Sequence, residues 1–208
     1  MQRKSVFFLD SVNSDASYWA HHQIIYDLYN KGFRIWLGNT RFSRGFNLKK
    51  SYDAVLGSIN EIAIHDIPAQ ISFILKRHEE KHLKVVTHGT GASVIAYALG
   101  KFEEKTLSFY NDLRYESAVK KVVAIAPCPI SSVGQVKDNG LVSSIDKVTW
   151  NILTGQMDQI CPVSNVETYY KVPLMKNSKL PVYNVYPGIG HRLKKFEPLI
   201  ATTLPMLL

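Results

Sequence analysis

The sequence predicts an α/β fold in which one doubly wound, mainly parallel sheet of about six strands carries helices on both faces. Short β-branched runs alternate along the chain with longer stretches of helical periodicity, which is typical of parallel strands joined by crossover helices. The 208 residues are 46% apolar and 20% charged, a composition that favours a globular chain over a disordered one. No composition shift, repeat or low-complexity tract marks a second unit, so we expect a single domain over residues 1–208.

The candidate strands are short apolar runs separated by turn residues. In chain order they are residues 5–9, 34–37, 83–87, 121–126, 148–154 and 182–186. Helical spacing of apolar residues lies between them, at 18–30, about 54–77, 92–101, 163–175 and 192–203. Because crossovers between parallel strands are right-handed, these helices are expected on both faces of the sheet. Residues 131–146, rich in Ser, Gly and charge, are predicted to form a loop.

The chain is basic, with 25 Lys and Arg against 17 Asp and Glu and a formal net charge of +8. Such a field favours anionic partners. Its densest patches are lysine doublets, without the aromatic-and-basic motifs of nucleic-acid-binding proteins, so nucleic-acid binding is not expected. No apolar run approaches the ~20 residues that a membrane-spanning helix needs.

Cysteine usage and the N-terminus predict an intracellular location. Cys128 and Cys161 are too few for a disulfide framework and indicate a reducing compartment. The sequence shows neither a secretory leader nor an Asn-x-Ser/Thr glycosylation acceptor.

The most informative segment is Thr87-His88-Gly89-Thr90-Gly91, which follows an apolar strand and opens a helix. This is the setting of a G-x-S-x-G nucleophile elbow, where a sharp turn exposes a serine and presents the next backbone N–H to an oxyanion. The central residue here is Gly89, which adopts positive φ without strain. The turn can therefore persist although its nucleophile is missing.

Chain order places the other two positions of a catalytic triad, because the acid follows the nucleophile and the histidine follows the acid. Asp158 lies in the loop after the fifth predicted strand, and His191 lies after the sixth. Both are at carboxyl ends of strands, the edge where catalytic groups of open α/β sheets gather. We expect them to form a remnant hydrogen-bonded pair.

Taken with these positions, the chain resembles the acid lipases (lysosomal acid and gastric lipase type) of the α/β-hydrolase fold over most of its length. Residues 32–41 closely match the family's GYDVWLGNSR strand and loop, the most specific match. Residues 61–69 are similar to its EMAxYDLPA helix, residues 124–127 to its ALAP strand end, and residues 15–19 to the segment after its first loop. The resemblance implies an α/β-hydrolase sheet.

The departures from the family pattern fall on its catalytic parts. The family elbow reads G-H-S-Q-G, so its nucleophile aligns with Gly89 and its first glycine with Thr87. The family's His-Gly pair, whose loop helps to form the oxyanion hole, aligns with Asp10 and Ser11. A carboxylate at Asp10 would repel an oxyanion.

Two larger segments of the family are also expected to be missing. The family carries a large lipid-binding cap between the positions of Pro127 and Trp150, where this chain has only residues 128–149. The chain begins at the strand equivalent to the family's third, so we expect no leading hairpin and no signal peptide. The resemblance thus implies a sheet without a cap domain.

Neighbouring groups are poor replacements for the missing nucleophile. Thr90 occupies the position whose backbone N–H serves the oxyanion, and Ser93 is already inside the helix. Cys161 has no elbow and is expected to be a structural cysteine.

Metal and nucleotide motifs are also discounted. Residues 78–82 fit the H-E-x-x-H zinc-protease motif, but they lie at a charged helix end without a third ligand. The pair His21-His22 is expected at the surface, and Gly89-Thr90-Gly91 lacks the ending of a P-loop. No metal and no cofactor is expected.

The joint loss of nucleophile, oxyanion loop and cap leads to the hypothesis of a catalytically inactive acid-lipase-like subunit, kept as a structural or accessory part of a larger protein assembly. Its expected partners are other protein subunits and anionic lipid, and a mitochondrial membrane complex of respiratory or ATP-synthase type is the working hypothesis for its location. Two alternatives stay open. One is a lipase or carboxylesterase whose nucleophile was removed by engineering, and the other is a pseudoenzyme that binds lipid in the cleft near Asp158 and His191.

Overall fold

Six strands are present in the structure, a computed structural model that describes residues 4–11, 14–43, 61–79, 82–103, 118–130, 148–171, 182–192 and 197–208. They are β1 (Lys4–Leu9), β2 (Phe33–Gly38), β3 (Leu83–His88), β4 (Val119–Ile125), β5 (Thr149–Gly155) and β6 (Val182–Tyr186). All six predicted strands are confirmed, each to within two residues at either end.

The strands form one parallel sheet in the order β2-β1-β3-β4-β5-β6. Phe8 on β1 lies opposite Leu37 on β2 and Val86 on β3. After β1 the chain forms β2 on one side of that strand, and it then crosses back to form β3 on the other side of β1. Ligand sites of open α/β sheets lie in the crevice at such a reversal of strand order. The loops after β1 and β3 are therefore the place to look for a site.

Helices cover both faces of the sheet. They are α1 (Ala16–Ala20), α2 (Gln23–Asn30), α3 (Ile67–His78), α4 (Gly91–Glu103), α5 (Val163–Val166) and α6 (Glu197–Leu207). Val6 and Phe8 face a core shared with α1, α2 and α6, whereas Phe7 and Leu9 face the core under α3 and α4. Because both faces are covered, β1 is buried along its length after Lys4, as expected for a parallel strand. The predicted doubly wound α/β fold is confirmed.

The first predicted helix, at residues 18–30, is in fact two helices. Helix α1 ends at Ala20, and α2 begins at Gln23 because His22 is extended, with φ −81° and ψ 139°. The carbonyl oxygen of His22 accepts the N–H of Ile25 at 2.9 Å and so starts a new turn. The periodicity of apolar residues continues through this break, which is why the sequence did not reveal it.

Three other helices differ from their predicted bounds. The described part of the helix predicted at 54–77 includes a π-turn at Ile62–Asp66 before α3. In this turn Ile67 donates its N–H to the Ile62 carbonyl. The next residue, Pro68, has no N–H to donate. Helix α6 begins at Glu197 and runs past the predicted end at 203, because Leu204 and Leu208 are buried in the core. Helix α5 continues as a π-turn at Glu167–Lys171, and the remainder of its predicted span is outside the described residues.

The described residues include no cap domain, as the sequence predicts. The loop predicted at 131–146 lies outside the described residues. Among those that are described, no helix combines the length and the apolar character needed to cross a bilayer. The single domain over 1–208 stays a prediction.

Candidate active site

The turn between β3 and α4 has the shape of a nucleophile elbow. Gly89 has φ +56°, in the left-handed region that glycine tolerates without strain. Its N–H donates to the carbonyl of Ile125 at 3.2 Å, and its own carbonyl accepts from Cys128 at 3.0 Å. A Cβ on Gly91 would lie 2.6 Å from the Asp10 carbonyl oxygen, so the loop after β1 packs directly on the elbow. The strand–turn–helix geometry of an elbow, with Gly89 at its apex, is thus present in the structure.

Asp158 and His191 form the expected pair beside this turn. His191 Nδ1 lies 2.8 Å from Asp158 Oδ2. The other carboxylate oxygen of the buried Asp158 accepts the backbone N–H groups of Ile160 at 2.9 Å and Cys161 at 2.7 Å. These bonds fix the carboxylate, which in turn fixes the imidazole ring. His191 Nε2 faces the elbow, 3.7 Å from the point where a Cβ on Gly89 would lie.

The side chain of Ser11 fills the space beside Gly89 where the serine of an elbow would project. A Cβ added to Gly89 would collide with Ser11 Oγ. The same oxygen accepts the backbone N–H of Thr90 at 3.3 Å. That N–H is the elbow donor that would face an oxyanion. Ser11 Oγ therefore lies where an elbow serine would project, and it also accepts the hydrogen bond of the N–H that would face an oxyanion. The alignment of Ser11 with the oxyanion loop did not reveal this role.

A second carboxylate–imidazole pair lies next to the first. Asp10 Oδ1 is 2.6 Å from His88 Nδ1, and Trp19 Nε1 donates to Asp10 Oδ2 at 2.6 Å. His88 Nε2 lies 3.2 Å from the carbonyl oxygen of His191, so both ring nitrogens of His88 face acceptors. The two imidazole rings are 4.9 Å apart between centroids.

The hydrogen bonds around Asp10 stabilise the ionised form of its carboxyl group. Burial opposes ionisation of its carboxyl group, but the hydrogen bond and charge of His88, with hydrogen bonds from Ser14 and Trp19, lower its pKa below the ordinary value. Sequence reasoning treated Asp10 only as a group that repels an oxyanion and missed His88 as its partner. The pair could have been inferred from His88, which lies within the elbow segment, and from Asp10, which follows the end of the neighbouring strand β1.

Two curated relatives are similar in sequence to the chain. Gastric triacylglycerol lipase of Homo sapiens is 30% identical over 130 residues, which cover 57% of this chain and 33% of the lipase. Lysosomal acid lipase/cholesteryl ester hydrolase of Homo sapiens is 28% identical over 145 residues, covering 64% of this chain and 35% of that enzyme. No protein-family model matches the chain.

A solved structure supports the fold independently. Esterase PE8 superposes with a TM-score of 0.67 at 15% identity, covering 99% of this chain and 93% of the esterase. The chain therefore has the α/β-hydrolase fold and is similar in sequence to acid lipases. It spans about a third of the length of the curated relatives that it matches.

Ser93 is engaged elsewhere, as its position in the helix predicted. Its hydroxyl donates to the Cys128 carbonyl at 2.9 Å and lies 2.7 Å from the hydroxyl of Tyr170. Burial raises the pKa of Tyr170 well above its ordinary value, so this phenol stays protonated and can donate to Ser93.

The described residues of the H-E-x-x-H segment do not form one continuous helix. Helix α3 ends at His78, and Glu79 is left-handed with φ 53°, so His78 and His82 do not share one helical face. His22 is not the surface residue that the sequence led us to expect. Its ring packs on Trp19 with centroids 4.7 Å apart, and its Nε2 lies 3.0 Å from Glu197.

The two cysteines form a disulfide, with Cα atoms 5.1 Å apart. The expectation that they remain thiols is wrong for this structure, because the loops after β4 and β5 bring them together. Cys128, Cys161 and His191 are also the one group of three His, Cys, Asp or Glu residues in the described part of the chain whose donor atoms could share an ion. These donor atoms lie within 4.8 Å of one another. The intracellular location stays a prediction.

A double-mutant cycle tests whether Ser11 fills the nucleophile's space. Gly89→Ala should cost the ~1–2 kcal/mol of a left-handed alanine, plus about 1 kcal/mol for displacing Ser11 Oγ from the Thr90 N–H. In the Ser11→Gly background the second contribution should vanish. Urea unfolding of the four proteins gives the coupling free energy.

Gly32→Ala is the matched control for this cycle, because Gly32 has φ +85° and its added Cβ would meet nothing within 4 Å. It should cost only the backbone contribution and show no coupling to Ser11→Gly. A coupling of zero between Gly89→Ala and Ser11→Gly would place Ser11 outside the elbow.

The lowered pKa of Asp10 predicts a pH-dependent stability. The ionised carboxylate of Asp10 should stabilise the fold fully above pH 3.8, which corresponds to the ordinary pKa of an aspartate. This stabilisation should disappear as the pH falls through the lower pKa of Asp10 in the folded state. The difference in unfolding free energy between wild type and Asp10→Asn should therefore shrink below pH 3.8. Urea unfolding across this range measures it. If His88 is the cause, His88→Gln should flatten the same difference, and an unchanged slope would contradict that assignment.

Proposed function

We propose that this chain is an acid-lipase-like member of the α/β-hydrolase fold that is catalytically silent and serves as a structural or accessory subunit of a larger protein assembly. The observation that carries the proposal is the elbow, where Gly89 offers no nucleophile and Ser11 Oγ occupies its space.

Acyl transfer on this fold needs a nucleophile within reach of the base and donors aimed at the oxyanion. The base is present, since His191 is held by Asp158. The nucleophile is missing at Gly89, and the Thr90 N–H is already bonded to Ser11. Loss of the serine alone from a triad enzyme removes about 10⁶ in rate. These losses therefore favour silence over slow turnover.

The matching family segments brace the framework instead of performing chemistry. Arg41, at the end of the 32–41 match, donates its backbone N–H to Asp66 Oδ2 at 2.8 Å and its guanidinium to Asp66 Oδ1 at 2.7 Å. Asp66 belongs to the 61–69 match. Asn39 accepts the N–H of Ala16 at 2.8 Å and, through its carbonyl, the side chain of Gln70. These bonds join the loop after β2 to the start of α1, to the π-turn and to α3, which supports retention of the chain as architecture.

Exposed apolar side chains support the part of the proposal that concerns assembly. Met157 and Ile160 flank Asp158 and are 64% and 69% exposed, at the edge of the sheet that a cap would cover. Tyr18, Tyr26 and Tyr29 are more than half exposed along α1 and α2. Partner subunits would bury such surface. The net charge of +8 suits anionic lipid at a mitochondrial membrane complex.

Covalent labelling tests the silence of the site. Wild type and Ser11→Ala should both remain unlabelled by a fluorophosphonate probe and should hydrolyse short-chain nitrophenyl esters at the background rate, because Gly89 has no hydroxyl and Ser11 Oγ takes up the Thr90 N–H that an oxyanion would need. Gly89→Ser alone should also stay unlabelled, since its side chain meets Ser11 Oγ. The double variant Gly89→Ser with Ser11→Gly should become labelled at residue 89. If this double variant is not labelled, more than the nucleophile has been lost from the site.

One observation favours a second candidate, a hydrolase that uses Ser11 itself. Ser11 Oγ lies in the nucleophile's space, and His191 Nε2 faces the same point. On this alternative, the probe would label Ser11 in wild type, and the label would be lost in Ser11→Ala and His191→Ala. That result would overturn the proposal of a silent subunit.

The assembly is tested separately, on material isolated gently from its source. Because partners are expected to cover the exposed apolar side chains, the chain should migrate in blue-native electrophoresis within a species many times its 23.5 kDa mass. Mass spectrometry of that species identifies the partners. Migration as a monomer would contradict the accessory role, whatever the result of the labelling.

A further inference from the structure

The loops after β4, β5 and β6 each bring one metal-binding type of side chain to the same place. These are Cys128, Cys161 and His191, whose donor atoms lie within 4.8 Å of one another. Both cysteines are buried, with exposed fractions of 9% and 3%. The group therefore lies in a largely water-excluded corner beside the elbow.

We propose that the chain with both cysteines reduced binds one zinc ion through Cys128 Sγ, Cys161 Sγ and His191 Nε2. The disulfide and the ion compete for the same two sulfur atoms, so the thiol state decides between them. Two clustered cysteines in a reducing compartment serve metal binding more often than a structural disulfide. The proposal needs the reduced chain and does not depend on whether the elbow is silent.

The geometry suits a tetrahedral ion. Zn–S bonds of about 2.3 Å and Zn–N bonds of about 2.0–2.1 Å hold donor atoms roughly 3.5–4 Å apart. The Cα atoms of the two cysteines are 5.1 Å apart, so both thiolates can face one ion. Binding would release the two thiol protons to solvent without any change of oxidation state.

Hydrogen bonds already orient the three ligands. His191 Nδ1 faces Asp158 Oδ2 at 2.8 Å, which leaves Nε2 as the nitrogen for a metal. This is the carboxylate–histidine–zinc arrangement that fixes ring and tautomer. Cys161 donates its N–H to Asp158 Oδ1 at 2.7 Å, and Cys128 donates its N–H to the Gly89 carbonyl at 3.0 Å. The ligands are therefore held before the ion arrives.

The donor set favours zinc over harder cations. Two thiolates and one imidazole suit Zn²⁺, whereas Mg²⁺ and Ca²⁺ prefer oxygen. Within the described residues no fourth His, Cys, Asp or Glu joins the group, which leaves one position for water. The ion would tie the carboxyl ends of β4, β5 and β6 together.

The test is a titration of the full chain, reduced with a phosphine under anaerobic conditions, with Co²⁺ as a spectroscopic probe. One equivalent of Co²⁺ should give the intense visible bands of a tetrahedral site and thiolate-to-cobalt charge-transfer absorption. Zn²⁺ should then displace it stoichiometrically. The disulfide form of the same chain is the matched control and should show neither signal.

Variants separate this site from adventitious binding. Cys161→Ser should abolish the charge-transfer band, and His191→Asn should weaken binding strongly, with circular dichroism confirming that each remains folded. Asp158→Asn should weaken Zn²⁺ binding about 10–100-fold through the orienting bond. His65→Asn, at an exposed histidine on the π-turn, should leave binding unchanged. Binding of less than one equivalent by the reduced chain, or equal binding by Cys161→Ser, would overturn the proposal.

Discussion

The close approach of the loop after β1 to the β3–α4 elbow is the constraint on which the site depends. Gly91 makes this possible, because a Cβ there would lie 2.6 Å from the Asp10 carbonyl. The approach puts the Ser11 hydroxyl at Gly89 and the Asp10 carboxylate at His88. The corner is thereby filled by the protein's own polar groups, each of which has a partner.

Two carboxylate–imidazole pairs stabilise the buried charges beside the elbow. Asp10 and Asp158 are both buried or nearly so, and each lies within hydrogen-bond distance of one histidine. A buried carboxylate without such a partner would be strongly destabilising. His191 is therefore accounted for as the partner of Asp158 even if it never acts as a base. Retention of an Asp–His pair in a hydrolase fold is evidence of buried charge pairing first and of catalysis second.

The strands and the order of the site loops could be predicted because they depend on local patterns. A strand covered on both faces is a continuous apolar run, and the elbow is a short segment between such a run and a helix. Ser11 could not be predicted, since its position depends on two loops that are far apart in the sequence. The disulfide between Cys128 and Cys161 could not be predicted for the same reason, because a count of cysteines does not say which loops meet. The break at His22 was hidden by apolar spacing that continues through it.

The link from Arg41 to Asp66 bears on how such a protein can persist through evolution. This ion pair fastens the loop after β2 to the π-turn before α3, so it contributes to folding whether or not the site performs chemistry. Drift at Gly89 is not opposed by selection for folding, since glycine is the residue that the left-handed turn tolerates best. If the site is silent, as proposed, the segments that resemble acid lipases are kept by their contribution to stability and not by chemistry.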